Sequence, residues 1–109
     1  MDIEELRAYI LQKPDVTEGF PFGEDTLVFK VKEKIFLLTG LDSSPLQFNV
    51  KCDPDRAIEL REEFPDSILP GFHMNKKHWN TVVVDGNVSK KLLKEMIDHS
   101  YDLVSKKKK

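Results

Sequence analysis

The sequence predicts a two-layer α+β domain, an antiparallel sheet with helices on one face. Helical periodicity of the apolar residues opens and closes the chain, so helices flank the sheet. Between them run short segments rich in Val, Ile, Leu and Phe, and the first two are joined by a connection of hairpin length. An Asp-Pro pair in mid-chain announces a further helix that splits the strands into two groups. The predicted order is helix, three strands, helix, one or two strands, helix. Residues 1–104 form one domain and residues 105–109 a lysine-rich tail.

The first helix is expected from Asp2 to Gln12. Asp2 and Glu5 have capping-box spacing, Ile3, Leu6, Ile10 and Leu11 share a face, and Pro14 stops it. Gly19, Pro21 and Gly23 then mark a turn-rich stretch around Phe20 and Phe22. Leu27–Val31 and Ile35–Thr39 read as a hairpin joined by Lys32-Glu33-Lys34. In Leu46–Lys51 the residues alternate, with Leu46, Phe48 and Val50 inward and Gln47, Asn49 and Lys51 outward. Asp53 suits an N-cap and Pro54 the first helical position; Ala57, Leu60, Arg61 and Phe64 line one stripe before Pro65. A loop from Asp66 to Lys77 leads to the last strand, Trp79–Val84, and Asp85-Gly86 is a turn. Ser89 caps a final helix to about Val104 that buries Leu92, Leu93, Met96, Ile97, Ser100 and Val104, with Val88 stapled onto Leu93.

Composition narrows the function classes. A chain of 109 residues is large enough for one core without covalent staples. The single cysteine, Cys52, excludes an internal disulfide and fits a reducing compartment. The acidic start, Met1 to Glu5, is unlike a secretory signal, and no apolar run reaches the length of a membrane span. A soluble, cytoplasmic monomer without a membrane partner is expected. The net charge is −2; without Lys106–Lys109 the count is 13 basic against 19 acidic residues, or −6. Such a body repels a phosphate backbone, so nucleic-acid binding has to rest on a local patch or on the tail.

Enzyme chemistry finds little support. Asp98, His99 and Ser100 have the residue types of a nucleophilic triad, but neighbours on a helix diverge by about 100° and do not converge on one atom. His73 and His78 are five apart with no second ligand pair, so no metal and no cofactor are expected. Cys52 lies before a helix N-terminus, yet without a base it reads as a small buried residue. Phe20 and Phe22 are expected to fold back as a lid on the core, with an exposed recognition loop as the alternative.

Two basic clusters carry the sharper reading. Lys76-Lys77-His78-Trp79-Asn80 joins phosphate-pairing cations to a stacking ring and an amide able to reach a base edge. Trp79 also suits the core, and burial statistics favour that position. Lys30, Lys32 and Lys34 cluster at the first hairpin, as a wing for a DNA groove or as a solubilising strand edge.

The chain resembles the MmcQ/YjbR family of small bacterial domains over nearly its whole length. The resemblance rests on Phe20-Pro21-Phe22-Gly23, Val28-Phe29-Lys30-Val31, Lys34-Ile35-Phe36, the run Leu46 to Pro54, the run Pro70 to Asn80, and Ser100-Tyr101-Asp102-Leu103-Val104. It implies a two-layer α+β domain of the secretion-chaperone-like class. It also implies a DNA-binding protein, a label tied to likeness with the double-wing domain of the phage transcription factor MotA, and it brings no catalytic residues. The expectation is a non-enzymatic DNA-binding protein using Lys76, Lys77, His78, Trp79 and Asn80 with Lys30, Lys32 and Lys34. The alternatives are a protein-interaction or chaperone-like module on the exposed sheet face, and a small-ligand binder with a pocket near His73 and Trp79.

Overall fold

The computed structural model describes residues 1–71 and 74–106. Two helical ends and a central sheet appear as expected, and the sheet has six antiparallel strands. In chain order the elements are α1 (Ile3–Leu11), β1 (Val16–Gly19), β2 (Thr26–Val31), β3 (Lys34–Gly40), β4 (Gln47–Lys51), α2 (Pro54–Glu63), β5 (Ile68–Pro70), β6 (Trp79–Val83) and α3 (Lys90–Ser105). The strands lie in the order β1-β2-β3-β4-β6-β5.

Local chemistry sets the helix starts. The Asp2 carboxylate accepts from the Glu5 amide, Asp53 from the Asp55 and Arg56 amides, and the Ser89 hydroxyl from the Leu92 amide. All three helices pack on one face of the sheet. Leu6 and Ile10 from α1, Ala57 and Leu60 from α2, and Leu93, Met96, Ile97 and Val104 from α3 meet Leu27, Phe29, Phe36, Leu37, Phe48, Val50, Ile68 and Val82. Leu11, expected on the buried face, is exposed instead.

β1 falls where a turn-rich stretch was expected, pairing Val16 with Val31 and Gly19 with Val28 as one edge of the sheet. The β2–β3 connection is tighter than anticipated. Lys32 and Glu33 both have positive φ, 52° and 66°, the backbone of a two-residue type I′ turn, and Lys34 is already strand.

Ser100 explains how α3 is seated. It is fully buried, its hydroxyl donates to the Phe36 carbonyl at 2.5 Å, and it accepts from the Lys51 amide at 2.9 Å. The paired residues Leu37 and Val50 are the last of the β3–β4 ladder, and the hydroxyl inserts where the next rung would form.

Candidate nucleic-acid interface

The face of the sheet away from the helices carries the candidate site. One row crosses it through directly paired residues: Val28, Leu38, Asn49, Thr81 and Leu69. Strand alternation places Gln47 and Lys51 beside Asn49, and Trp79 beside Thr81, on this same face. A cleft of about 410 Å³ lies there, lined among others by Phe22, Leu38, Gln47, Asn49, Met74 and Thr81. Thr81 donates its hydroxyl to the Asn49 side-chain oxygen at 2.5 Å, which fixes the orientation of that amide.

Register brings the two basic clusters together. Lys51 pairs with Trp79, and Val31 pairs with Lys34, so the hairpin tip, the end of β4 and the start of β6 share one end of the sheet. Lys34, Lys76 and Lys77 are exposed there, and Lys51 is half-buried. Exposed carboxylates Glu24, Asp25, Asp42, Asp66 and Asp85 occupy the loops at the opposite end. Asp15, Glu33, Asp53, Asp55 and Asp102 are the exposed acids at the lysine end, Asp53 and Asp55 at the start of α2 and Asp102 in the last turn of α3. Lysines offset the acids at this end, whereas the opposite loops carry carboxylates without lysines, a difference that the net charge conceals.

The lysine turn is built by Asn75. Its side-chain oxygen accepts from the Lys77 amide at 2.9 Å, and its carbonyl accepts from the His78 and Trp79 amides. His78 is half-buried, and its carbonyl accepts from the Cys52 amide at 2.8 Å, holding the turn to the end of β4. Gly71 closes the other side, where its amide donates to the Trp79 carbonyl; a Cβ at that position would lie 2.6 Å from the Trp79 Cβ.

Four expected positions are corrected. Asn80 does not reach the surface: it is 1% exposed, points to the helix layer, and its oxygen accepts from Arg61 Nε at 2.7 Å. Trp79 is not a core residue but stands half-buried on the helix-free face. Phe20 and Phe22 do not lid the core; they are 50% and 66% exposed, because β1 ends at Gly19 and the chain turns past the sheet edge. Of the hairpin lysines, Lys34 is free of the body, and Lys30 lines a recess with Thr17, Phe20 and Pro21. Lys32 donates to the Ser105 carbonyl at 2.8 Å, where its charge suits the C-terminal end of α3. His73 and Lys107–Lys109 lie outside the described residues.

The triad types diverge as helix geometry requires. Asp98 accepts from Tyr9 at 2.7 Å and Lys13 at 2.5 Å, His99 Nε2 accepts from the Asp53 amide at 3.1 Å, and Ser100 is the wedge between β3 and β4. Burial pushes the Cys52 thiol up to about 11, with the Asp53 charge adding to the effect, so the thiolate is disfavoured. Among the described residues no cluster of three or more His, Cys, Asp or Glu is placed to hold a metal. No helix of the described residues is long and apolar enough to cross a membrane.

Comparison with known proteins agrees with this architecture. The YjbR family model matches residues 11–103. Escherichia coli O157:H7 YbdF, named as uncharacterized, is 38% identical over 101 residues, covering 93% of this chain and 82% of that protein. Escherichia coli K12 YjbR, likewise named as uncharacterized, is 29% identical over 101 residues, 93% of this chain and 85% of its own length. The crystal structure of Deinococcus radiodurans protein DR2400 superposes with a TM-score of 0.92 at 46% identity, covering 96% of this chain and 79% of that one. A Pseudomonas syringae crystal structure shares the fold at a TM-score of 0.76 and 24% identity, over 95% of this chain and 99% of that one.

Proposed function

We propose, given that this chain belongs to the YjbR family, that it is a non-enzymatic DNA-binding protein whose helix-free sheet face takes the nucleic acid. The observation that carries this reading is the segregation of charge along the strands. Lys51 lies at one end of that face, with Lys34, Lys76 and Lys77 at the same end of the sheet, while five exposed loop carboxylates stand at the other end. Phosphates pair with the lysine end, and the acidic end sets the direction in which a strand lies.

The rest of the face supplies contacts for bases. Gln47 and Asn49 offer amides in the cleft, and Phe22 offers an exposed ring at its rim. With Asn80 buried, the element expected to read a groove edge is gone. An open cleft with an accessible ring suits unpaired bases better than a stacked duplex. The protein acts by binding: its nucleophilic residue types are spent on structural hydrogen bonds.

A second reading has its own observation. Phe22, Leu38 and Met74 give the same cleft an apolar side, which suits a polypeptide segment. Salt separates the two. Single-stranded and duplex DNA are titrated at two salt concentrations, following the fluorescence of Trp79, the only tryptophan. DNA binding predicts affinity that falls steeply with salt, by about 0.7 log units per log unit of salt for each phosphate neutralised on a single strand. The double variant Lys76→Ala/Lys77→Ala weakens binding and flattens that slope. No binding by the wild type at low micromolar protein and low salt rejects the DNA reading.

A further inference from the structure

We infer that Arg61 is the positioning residue of the lysine turn, reaching from α2 to hold residues 75–79 in the shape that presents Lys76 and Lys77. The functional half of this inference rests on the DNA-binding reading; the structural half does not. Arg61 Nε donates to Asn80 Oδ1 at 2.7 Å, and its terminal nitrogen donates to the carbonyls of Trp79, at 3.2 Å, and of Lys76. One guanidinium thus ties both ends of the turn to the helix layer.

The residue type is suited to this task. A planar fork presents several donors in fixed directions, so one side chain spans acceptors on three residues, which a lysine ammonium does not reproduce. Among the described residues no carboxylate forms a salt bridge with Arg61, so carbonyl oxygens answer its charge. The Asn80 side-chain nitrogen is buried without a partner among the described residues, which leaves the Arg61 bond as the amide's anchor. Lys76 itself makes no other hydrogen bond to the helix layer among the described residues, although it is one of the two cations the turn displays.

The full chain is compared with Arg61→Lys and Arg61→Ala by residue-resolved amide hydrogen exchange. The expected result is exchange on the order of tenfold faster at His78 and Trp79 in both variants, the loss of one hydrogen bond's worth of local protection, with the Leu93 amide of α3 unchanged. Affinity for a short single-stranded oligonucleotide falls in parallel, about fivefold, while the salt slope stays that of the wild type because the same phosphates are met. Unchanged exchange at His78 and Trp79 overturns the inference. So does uniform acceleration that includes Leu93, or rescue of turn protection by Arg61→Lys, since charge alone would then suffice. If the turn loosens but the wild type binds no oligonucleotide, the positioning role stands and the DNA reading fails.

Discussion

Ser100→Ala is expected to destabilise the fold far more than loss of a single hydroxyl suggests. The hydroxyl is wholly buried and serves two strands at once, donating to Phe36 on β3 and accepting from Lys51 on β4. Alanine fits the same space but abandons a carbonyl and an amide that the inserted side chain has kept apart. Each buried backbone group left without a partner costs about 1–3 kcal/mol, so the pair amounts to roughly 2–6 kcal/mol. For a domain of this size that corresponds to a fall in Tm of roughly 8–24 °C. Urea denaturation followed by Trp79 fluorescence reads it directly, as a lower midpoint with an unchanged m-value. The reasoning fails if the loss is below about 0.5 kcal/mol, because the strands would then have closed and bonded Phe36 to Lys51 without the wedge.

Three further outcomes follow from named contacts. Gly71→Ala places a methyl group against the Trp79 backbone and is expected to cost at least about 1–3 kcal/mol in urea, as overpacking does; a neutral result would show that the strands part at Gly71 and Trp79 without penalty. Cys52 holds its proton to about pH 11 when folded, whereas an unfolded thiol releases it near about 8.5. The unfolded state therefore binds fewer protons between these values, and stability falls as pH rises through that window. Urea midpoints of wild type and Cys52→Ala at pH 7.5 and pH 10 check it: the wild type must lose more of its midpoint, and parallel losses would refute the burial argument. Phe22→Ser, at an exposed ring, should leave stability within about 0.5 kcal/mol. It should also weaken single-stranded DNA binding by about fivefold or more, as loss of a stacking ring does, and equal affinity would remove Phe22 from the interface.

Local chemistry made much of the fold legible. Asp2, Asp53 and Ser89 cap the helices they were expected to cap, and the alternation of Phe48 and Val50 with Gln47 and Asn49 gave the faces of β4 correctly. β1 was hidden because an edge strand of four residues with one apolar side chain, Val16, exists only through its pairing with β2. The lysine cluster was visible as composition, but its shared end with Lys34 depends on register across three strands. The faces of Trp79 and Asn80 could not be read from a strand that is apolar on both sides. Arg61, distant in sequence, decides the matter by drawing Asn80 into the helix layer. Arg61 itself was noted only as part of a stripe with Ala57, Leu60 and Phe64, and an arginine among such residues is a signal that something polar must meet it.

Backbone amide shifts recorded while a short single-stranded oligonucleotide is added at low salt locate the binding surface residue by residue. The expected footprint covers Gln47, Asn49, Lys51, Thr81 and the turn from Lys76 to Trp79, and it leaves the outer faces of α2 and α3 undisturbed. Shifts confined to the helices or to the lysine tail, or no shifts at all, would contradict a nucleic-acid site on the helix-free face.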